Sequence, residues 1–291
     1  MRNTMWSDLV QGIDTLYYSR MLRFDDIFKR KYTEIFCIEG KEKILEIGCG
    51  PGALAQSLSR WYPNSEVIGI DRDSEFIRFA SEKAPSIKFV EGDAAALPFS
   101  ENSFDVTISN TVHEHIKPSD FFGEQYRVLK PNGVCIVMSA RHGITSNASC
   151  IDECSDFENE IFGRVEKYCD EVLKGNLIGA YRQSERDIPL TMSAYGFKDI
   201  RTDYLAVNLT PDNPEYPEET ARTIINEGRF SELDYAERLL KIAPDIVSAE
   251  EISKLKKIIN QKYDRRLELY DSGQKQWDTS VSLTMIVRGV K

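Results

Sequence analysis

Cysteine is sparse in this sequence, and its six copies (Cys37, Cys49, Cys135, Cys150, Cys154 and Cys169) form no C-x-x-C pair. Zinc-ribbon and thioredoxin-like frameworks are thereby excluded, and the usage fits a reducing compartment. No apolar run reaches membrane-spanning length, and residues 1–8 show no hydrophobic signal core. A soluble, cytoplasmic protein with no membrane partner is expected. A basic surplus is missing too: 37 Lys and Arg stand against 47 Asp and Glu, a formal net charge of −10. A surface of that sign repels phosphate backbones, and no local basic cluster offsets it, so small molecules rather than nucleic acid are the expected partners. Internal repeats and low-complexity tracts are also absent. With 291 residues, 41% of them hydrophobic, the chain can build a substantial core as one large domain or a domain with a second lobe.

Between residues 43 and 140, short β-branched runs alternate with helical periodicities. Strands are expected at 43–47, 66–70, 87–91, 104–109 and 134–139, and helices at 53–61, 74–83 and 119–129. Asp73 is the expected N-cap of the second helix, and Lys130-Pro131-Asn132-Gly133 a turn that closes the third. Strands joined by helices of this length imply an α/β fold, a doubly wound and mostly parallel sheet. Residues 141–183 are polar with scattered aromatics and look irregular, whereas 186–195 look helical and 197–209 look like a strand. Residues 210–278 open on a proline-rich run and turn helical. The last helix there has a capping box, Ser248 with Glu251, and one face of Ile252, Leu255, Ile259, Tyr263 and Leu267. A final strand is expected at 280–288. The expected organisation is an N-terminal helical lead (1–40), a sheet domain (41–209 with 279–291) and an inserted helical cap (210–278), with 141–183 also cap-like.

The strongest chemical signal is Glu46-Ile47-Gly48-Cys49-Gly50-Pro51-Gly52-Ala53 at the end of the first strand. Glycines there allow a tight turn and a close approach of ligand to backbone, and the helix that follows offers free N–H groups. The same pattern satisfies the G-x-G-x-x-A dinucleotide fingerprint. Glu46 argues against a pyrophosphate at that place, since a carboxylate repels phosphate and attracts an ammonium. Asp71, with Arg72 beside it, ends the second strand about 20 residues further on, suited to the hydroxyls of a ribose. Asp93 and Ala94 follow the third strand, next to small and apolar residues that can flank a flat base. Acids at three successive strand ends of one sheet edge should converge on one crevice.

This set resembles the class I S-adenosylmethionine-dependent methyltransferases, over roughly residues 43–139. The segments Ser103-Phe104-Asp105-Val106-Thr107-Ile108-Ser109-Asn110 and Tyr126-Arg127-Val128-Leu129-Lys130-Pro131-Asn132-Gly133 are similar to the type 11-like branch that acts mostly on small molecules. The resemblance implies a Rossmann-like sheet with an antiparallel last strand, at 280–288, and S-adenosyl-L-methionine as cofactor. It further implies that Glu46 and the turn of Gly48, Cys49, Gly50 and Gly52 hold the methionine part, and that Asp71 binds the ribose. Asp93 and Ala94 would read the adenine, and the Asn110 backbone would help to place the methionine moiety. Tyr18 and Arg20, in a leading helix, are candidates for the methionine carboxylate, with simple packing of that helix as the alternative. Cys49 itself is expected to pack rather than react.

Methyl transfer from a sulfonium proceeds largely by alignment and desolvation, so a dedicated base is not required. If one exists, His113 and His115, in the cluster His113-Glu114-His115, are the candidates; the alternative is that they support the turn. Their spacing is wrong for H-E-x-x-H. Asn110 is followed by Thr111-Val112-His113, unlike the Pro-Pro-aromatic run of exocyclic-amine methyltransferases, and Asn110 and Ser139-Ala140-Arg141-His142 provide none of the carboxylates that resemblance to magnesium-dependent catechol-type enzymes would require, so no metal is expected. Three scattered cysteines (Cys150, Cys154, Cys169) do not match an arsenite methyltransferase. Tyr204 and Tyr216 are candidate acceptor-lining residues. An NAD-dependent oxidoreductase and a non-catalytic binding protein for the same cofactor are the alternative functions.

Overall fold

The computed structural model describes residues 6–40, 42–151, 153–175 and 178–291. The first five residues of the expected N-terminal lead, residue 41, and residues 152, 176 and 177 of the segment expected to be irregular lie outside the described residues. In chain order the first elements are α1 (Trp6–Leu9), α2 (Ile13–Arg23), α3 (Lys29–Phe36), β1 (Lys43–Ile47), α4 (Ala53–Trp61), β2 (Glu66–Asp71), α5 (Ser74–Lys83), β3 (Lys88–Glu91) and β4 (Phe104–Asn110). There follow α6 (Pro118–Val128), β5 (Leu129–Ala148), α7 (Asp156–Gly175), α8 (Asp187–Ala194), β6 (Lys198–Leu209), α9 (Glu218–Ile242), α10 (Ala249–Asp271) and β7 (Thr279–Val290).

Two compact units emerge. A sheet unit comprises Arg23–Ile144, Leu177–Val207 and Ser282–Lys291, and a helical unit comprises Met1–Leu22, Thr145–Asn176 and Asn208–Val281. The seven strands run in the order β3-β2-β1-β4-β5-β7-β6, mostly parallel with one antiparallel strand. The inner strands are apolar on both faces because helices cover both, as parallel sheets require. Ile44, Leu45 and Ile47 of β1 and Ile108 of β4 are fully buried. Phe121 and Phe122 of α6 pack edge to face at 5.1 Å, fully buried among Ile188 and Met192 of α8, each worth roughly 1.5–3 kcal/mol of apolar burial. Asp73 caps α5 by accepting from Glu75 N at 3.1 Å.

The expected turn at 130–133 lies within β5. Asn132 takes a left-handed φ of 65°, but its N–H donates to Lys291 O at 3.2 Å and Lys291 N returns to Gly133 O at 2.9 Å. Leu129 pairs with Phe104 and Val134 with Val106, so residues 130–133 bulge from the ladder as a turn, which the bonds to Lys291 brace.

In the helical unit, α9 and α10 bury Ile225, Leu239, Leu255 and Ile259, and the capping box of Ser248 with Glu251 opens α10. The expectation of an irregular 141–183 is corrected. β5 runs to Ala148 and α7 fills residues 156–175, with Ile161 and Val165, four apart, fully buried in the core of this unit. On the buried face of α10 sits Arg266, 1% exposed. Its Nη2 donates to Asp212 Oδ2 at 2.8 Å and its Nε to Asp278. Asp212 also accepts from Gln276 N and Trp277 N, both at 2.9 Å, and Asp278 from Cys150 N at 2.7 Å. One guanidinium thus gathers the segments before α9, after α10 and after β5.

Candidate active site

Four neighbouring strands, β3, β2, β1 and β4, end along one edge of the sheet, and the cofactor residues expected in the sheet unit sit at or just past those ends. Ile47 lies opposite Ile70 and Ser109, and Asp71 opposite Glu91. The chain leaving β1 hooks back on β2: the N–H groups of Gly48 and Cys49 both donate to Ile70 O, at 2.8 and 3.0 Å. Gly48 and Gly52 have φ of 67° and 84°, a region side chains disfavour. A Cβ at Gly48 would lie 2.3 Å from Val112 Cγ2, and one at Gly52 2.9 Å from Ala80 Cβ. Glycine is required at both places by backbone and by packing together.

Asp71 ties this turn to the next helix. Its Oδ2 accepts from Gly50 N at 2.8 Å and its Oδ1 from Asp73 N at 2.9 Å. A carboxylate oxygen can accept more than one hydrogen bond, so each retains capacity for a further donor. Burial raises the Asp71 pKa above the usual carboxylate value, against the pull of those two amides and of Arg72. Arg72 is exposed at the strand end. Glu46 is 3% exposed on β1. The Cys49 thiol, also buried, is pushed well above its ordinary pKa first by desolvation and then by the charges of Glu46 and Asp71. Cys49, held protonated, packs near Gly69.

Asp93, two residues past β3, is exposed; its Oδ1 accepts from Ala95 N at 2.9 Å and its carbonyl from Ala96 N at 3.0 Å. Ala94 packs against the main core. Asn110 ends β4 opposite Met138, and its carbonyl accepts from Thr111 Oγ1 at 2.7 Å. Tyr18 and Arg20 lie on α2, which belongs mainly to the helical unit, where Tyr18 packs against Phe230 at 5.9 Å. Tyr204 is exposed on β6 in the sheet unit, whereas Tyr216 belongs to the helical unit and donates its hydroxyl to Asn208 O.

A short 3-10 turn, His113–His115, follows β4. His113 is 2% exposed, with its ring 6.4 Å from that of Phe121. His115 Nδ1 accepts from Gly179 N at 2.9 Å, so the neutral ring carries its proton on Nε2, 3.5 Å from Glu114 Oε1. Tyr181 N donates to Glu114 O at 2.9 Å. The turn thus receives residues 179–181, a contact that sequence reasoning missed because that stretch carries no periodicity. Burial, with Arg72 and Arg182 nearby, lowers the His115 pKa to about 4. Unfolding would return it towards 6.5, so the unfolded chain takes up the proton first. The stability contributed by neutral His115 is complete above pH 6.5 and lost as the pH falls towards 4. Acid titration of the fold followed by circular dichroism should show this loss, and His115→Gln should flatten it; an unchanged acid limb in that variant would contradict the assignment.

Sequence reasoning also passed over a clamp on the loop after β3. Arg127 Nη1 donates to Phe99 O at 2.7 Å and Nη2 to Leu97 O at 3.0 Å, while Glu124 Oε2 accepts from Leu97 N at 2.6 Å. The signal was present, since Arg127 lies in one of the two segments with family likeness, but the segment names no partner. Among the described residues, no group of three His, Cys, Asp or Glu is arranged to hold a metal ion, and no helix is long and apolar enough to cross a membrane.

A family model described as a methyltransferase domain matches residues 45–137. The demethylmenaquinone methyltransferase of Thermus thermophilus is 33% identical over 141 residues, which is 46% of this chain and 63% of the relative. The fatty-acid O-methyltransferase of Mycolicibacterium smegmatis is 36% identical over 108 residues, 36% of this chain and 39% of the relative. The chain therefore spans less than two thirds of the length of these relatives. In fold it is similar to phosphoethanolamine N-methyltransferase 2 of Haemonchus contortus, solved with S-adenosyl-L-methionine, at a TM-score of 0.55 and 17% identity, covering 100% of this chain and 60% of that one. The glycine turn and the acidic strand ends, from Glu46 to Asp93, all fall within residues 45–137, the stretch that matches the methyltransferase domain.

Proposed function

We propose that the chain transfers a methyl group from S-adenosyl-L-methionine to a small-molecule acceptor, and that the sheet edge just described holds the cofactor. The observation that carries this reading is the Asp71 carboxylate, fixed by Gly50 and Asp73 with acceptor capacity on both oxygens, with Glu46 buried on the neighbouring strand β1. Two carboxylates beside the glycine turn suit an ammonium and a diol; a pyrophosphate there would meet repulsion. Nothing in the geometry favours the NAD reading over this one. The names of two relatives concern demethylmenaquinone and a fatty acid, which supports an acceptor of metabolite size.

In this reading Glu46 binds the ammonium, the turn 48–52 lies along the methionine part, Asp71 accepts from the two ribose hydroxyls, and Asp93 with Ala94 flanks the adenine. The Asn110 backbone adds a contact to the methionine moiety. When bound, the cofactor supplies a methyl group already activated by positive sulfur. The work of the chain is to align and to exclude water, which can supply much of the acceleration. His115 spends its Nδ1 lone pair on Gly179, an arrangement that supports a role in holding residues 179–181 in place of proton abstraction.

Thermal unfolding with S-adenosylhomocysteine, with NAD and with neither tests the reading. Homocysteine-bearing ligand at a hundred times its dissociation constant should add about 2.7 kcal/mol of stability, and NAD none. Stabilisation by NAD alone would overturn the reading, and cofactor binding without methyl transfer to any metabolite would leave only the non-catalytic alternative.

A further inference from the structure

We infer that Arg127, braced by Glu124, is a positioning residue for the adenine end of the cofactor, an assignment that rests on the reading above. The loop after β3 leaves Glu91 exposed, turns at Asp93 and buries Leu97, at 5% exposure, before reaching β4. Leu97 is gripped on both sides of its peptide unit. Its N–H donates to Glu124 Oε2 at 2.6 Å and its carbonyl accepts from Arg127 Nη2 at 3.0 Å. A third bond, Arg127 Nη1 to Phe99 O at 2.7 Å, fixes the chain two residues on. The planar fork is what allows one side chain to reach two carbonyls at once, and a lysine cannot copy it. Glu124 holds the fork in place through two further contacts, at 2.7 Å from Arg127 Nε and 2.8 Å from Nη2.

The pair keeps its charge throughout the working pH range. The arginine beside Glu124 holds that carboxyl below its ordinary pKa, and Glu124 raises that of Arg127. Asp93 and Ala94 lie between two anchors of the same loop: upstream, Gly92 N donates to Asp71 O at 2.9 Å, and downstream stands the clamp on Leu97 and Phe99; Asp93 is exposed, and its turn is closed by Ala95 and Ala96. No helix or strand lies within residues 92–103, so on the downstream side the stretch that carries Asp93 and Ala94 takes its place from the clamp. Arg127 touches no ligand in this account; it acts through Leu97 and Phe99.

A ligand that keeps adenine and ribose but lacks the amino-acid tail separates the two ends of the site, and methylthioadenosine is that probe. Calorimetry on the full chain should give Arg127→Lys an affinity about tenfold weaker than wild type for methylthioadenosine and for S-adenosylhomocysteine alike. Its circular dichroism spectrum should be unchanged. Glu46→Gln should weaken only S-adenosylhomocysteine. Glu124→Gln, which keeps size and loses charge, should repeat the matched loss and serves if the lysine variant does not fold. Wild-type affinity for methylthioadenosine in either clamp variant that folds would overturn the inference, as would a loss confined to S-adenosylhomocysteine. A wild-type chain that binds neither ligand would overturn the cofactor reading and this inference with it, an outcome distinct from the others.

Discussion

Replacing Asp71 with alanine should weaken S-adenosylhomocysteine binding by a hundredfold or more. Two hydrogen bonds from a diol to one carboxylate are charge-assisted, each worth roughly 1.5–3 kcal/mol, and both are lost together. The variant also releases Gly50 N and Asp73 N, so part of the loss comes from a loosened turn. Asp71→Asn separates the contributions. It keeps the size and one acceptor but turns an NH2 group towards an amide N–H, and it should bind nearly as poorly as the alanine variant. The pH dependence of wild-type binding offers a second reading of the same group. Burial raises the pKa of Asp71 in the free protein, and hydroxyl donors favour its ionised form. Affinity should therefore rise with pH through that raised value and then level off, and in Asp71→Asn this rise should vanish. Titration calorimetry over a pH series checks both statements, and affinity within about threefold of wild type in the alanine variant would contradict the ribose assignment.

Arg266→Ala should destabilise the chain by about 3–5 kcal/mol, because removal of one partner strands buried charge. Asp212 and Asp278 have side chains 3% and 13% exposed, and their backbone donors, Gln276, Trp277 and Cys150, do not neutralise them. Arg266 Nη1 has no hydrogen-bond partner, so the network is already short of one acceptor. Replacing all three charged groups by neutral ones, as in Arg266→Met with Asp212→Asn and Asp278→Asn, should recover most of the loss, since the penalty lies in unpaired charge and not in the absence of the bridge. Urea unfolding of the three proteins measures this. A loss under about 1 kcal/mol in Arg266→Ala would show that water reaches the two carboxylates.

The sheet edge was legible because its signals are local. β1, α4 and α5 match the expected ranges residue for residue, since each is bounded by a glycine turn or a capping side chain next to it in sequence. What was not legible depended on distant partners. α7 buries Ile161 and Val165 against α9 and α10, and its charged composition hid a stripe that makes sense only with those helices in place. The turn at 130–133 was readable, but the bonds to Lys291 that brace it were not. Asp93 was readable as an acid after a strand, but the turn it closes at Ala95 and the clamp from Glu124 and Arg127 that fixes its loop were not. The histidine pair illustrates the same limit. His115 invites a catalytic role by residue type, while its bond to Gly179, 64 positions away, occupies the lone pair such a role would need.

A crystal structure of the chain with S-adenosylhomocysteine is the most direct measurement of the central claim. The account predicts ribose hydroxyls on both oxygens of Asp71, the ligand's ammonium beside Glu46 and its adenine against Ala94. Ligand density away from the ends of β1, β2 and β3, or a ribose turned from Asp71, would contradict it.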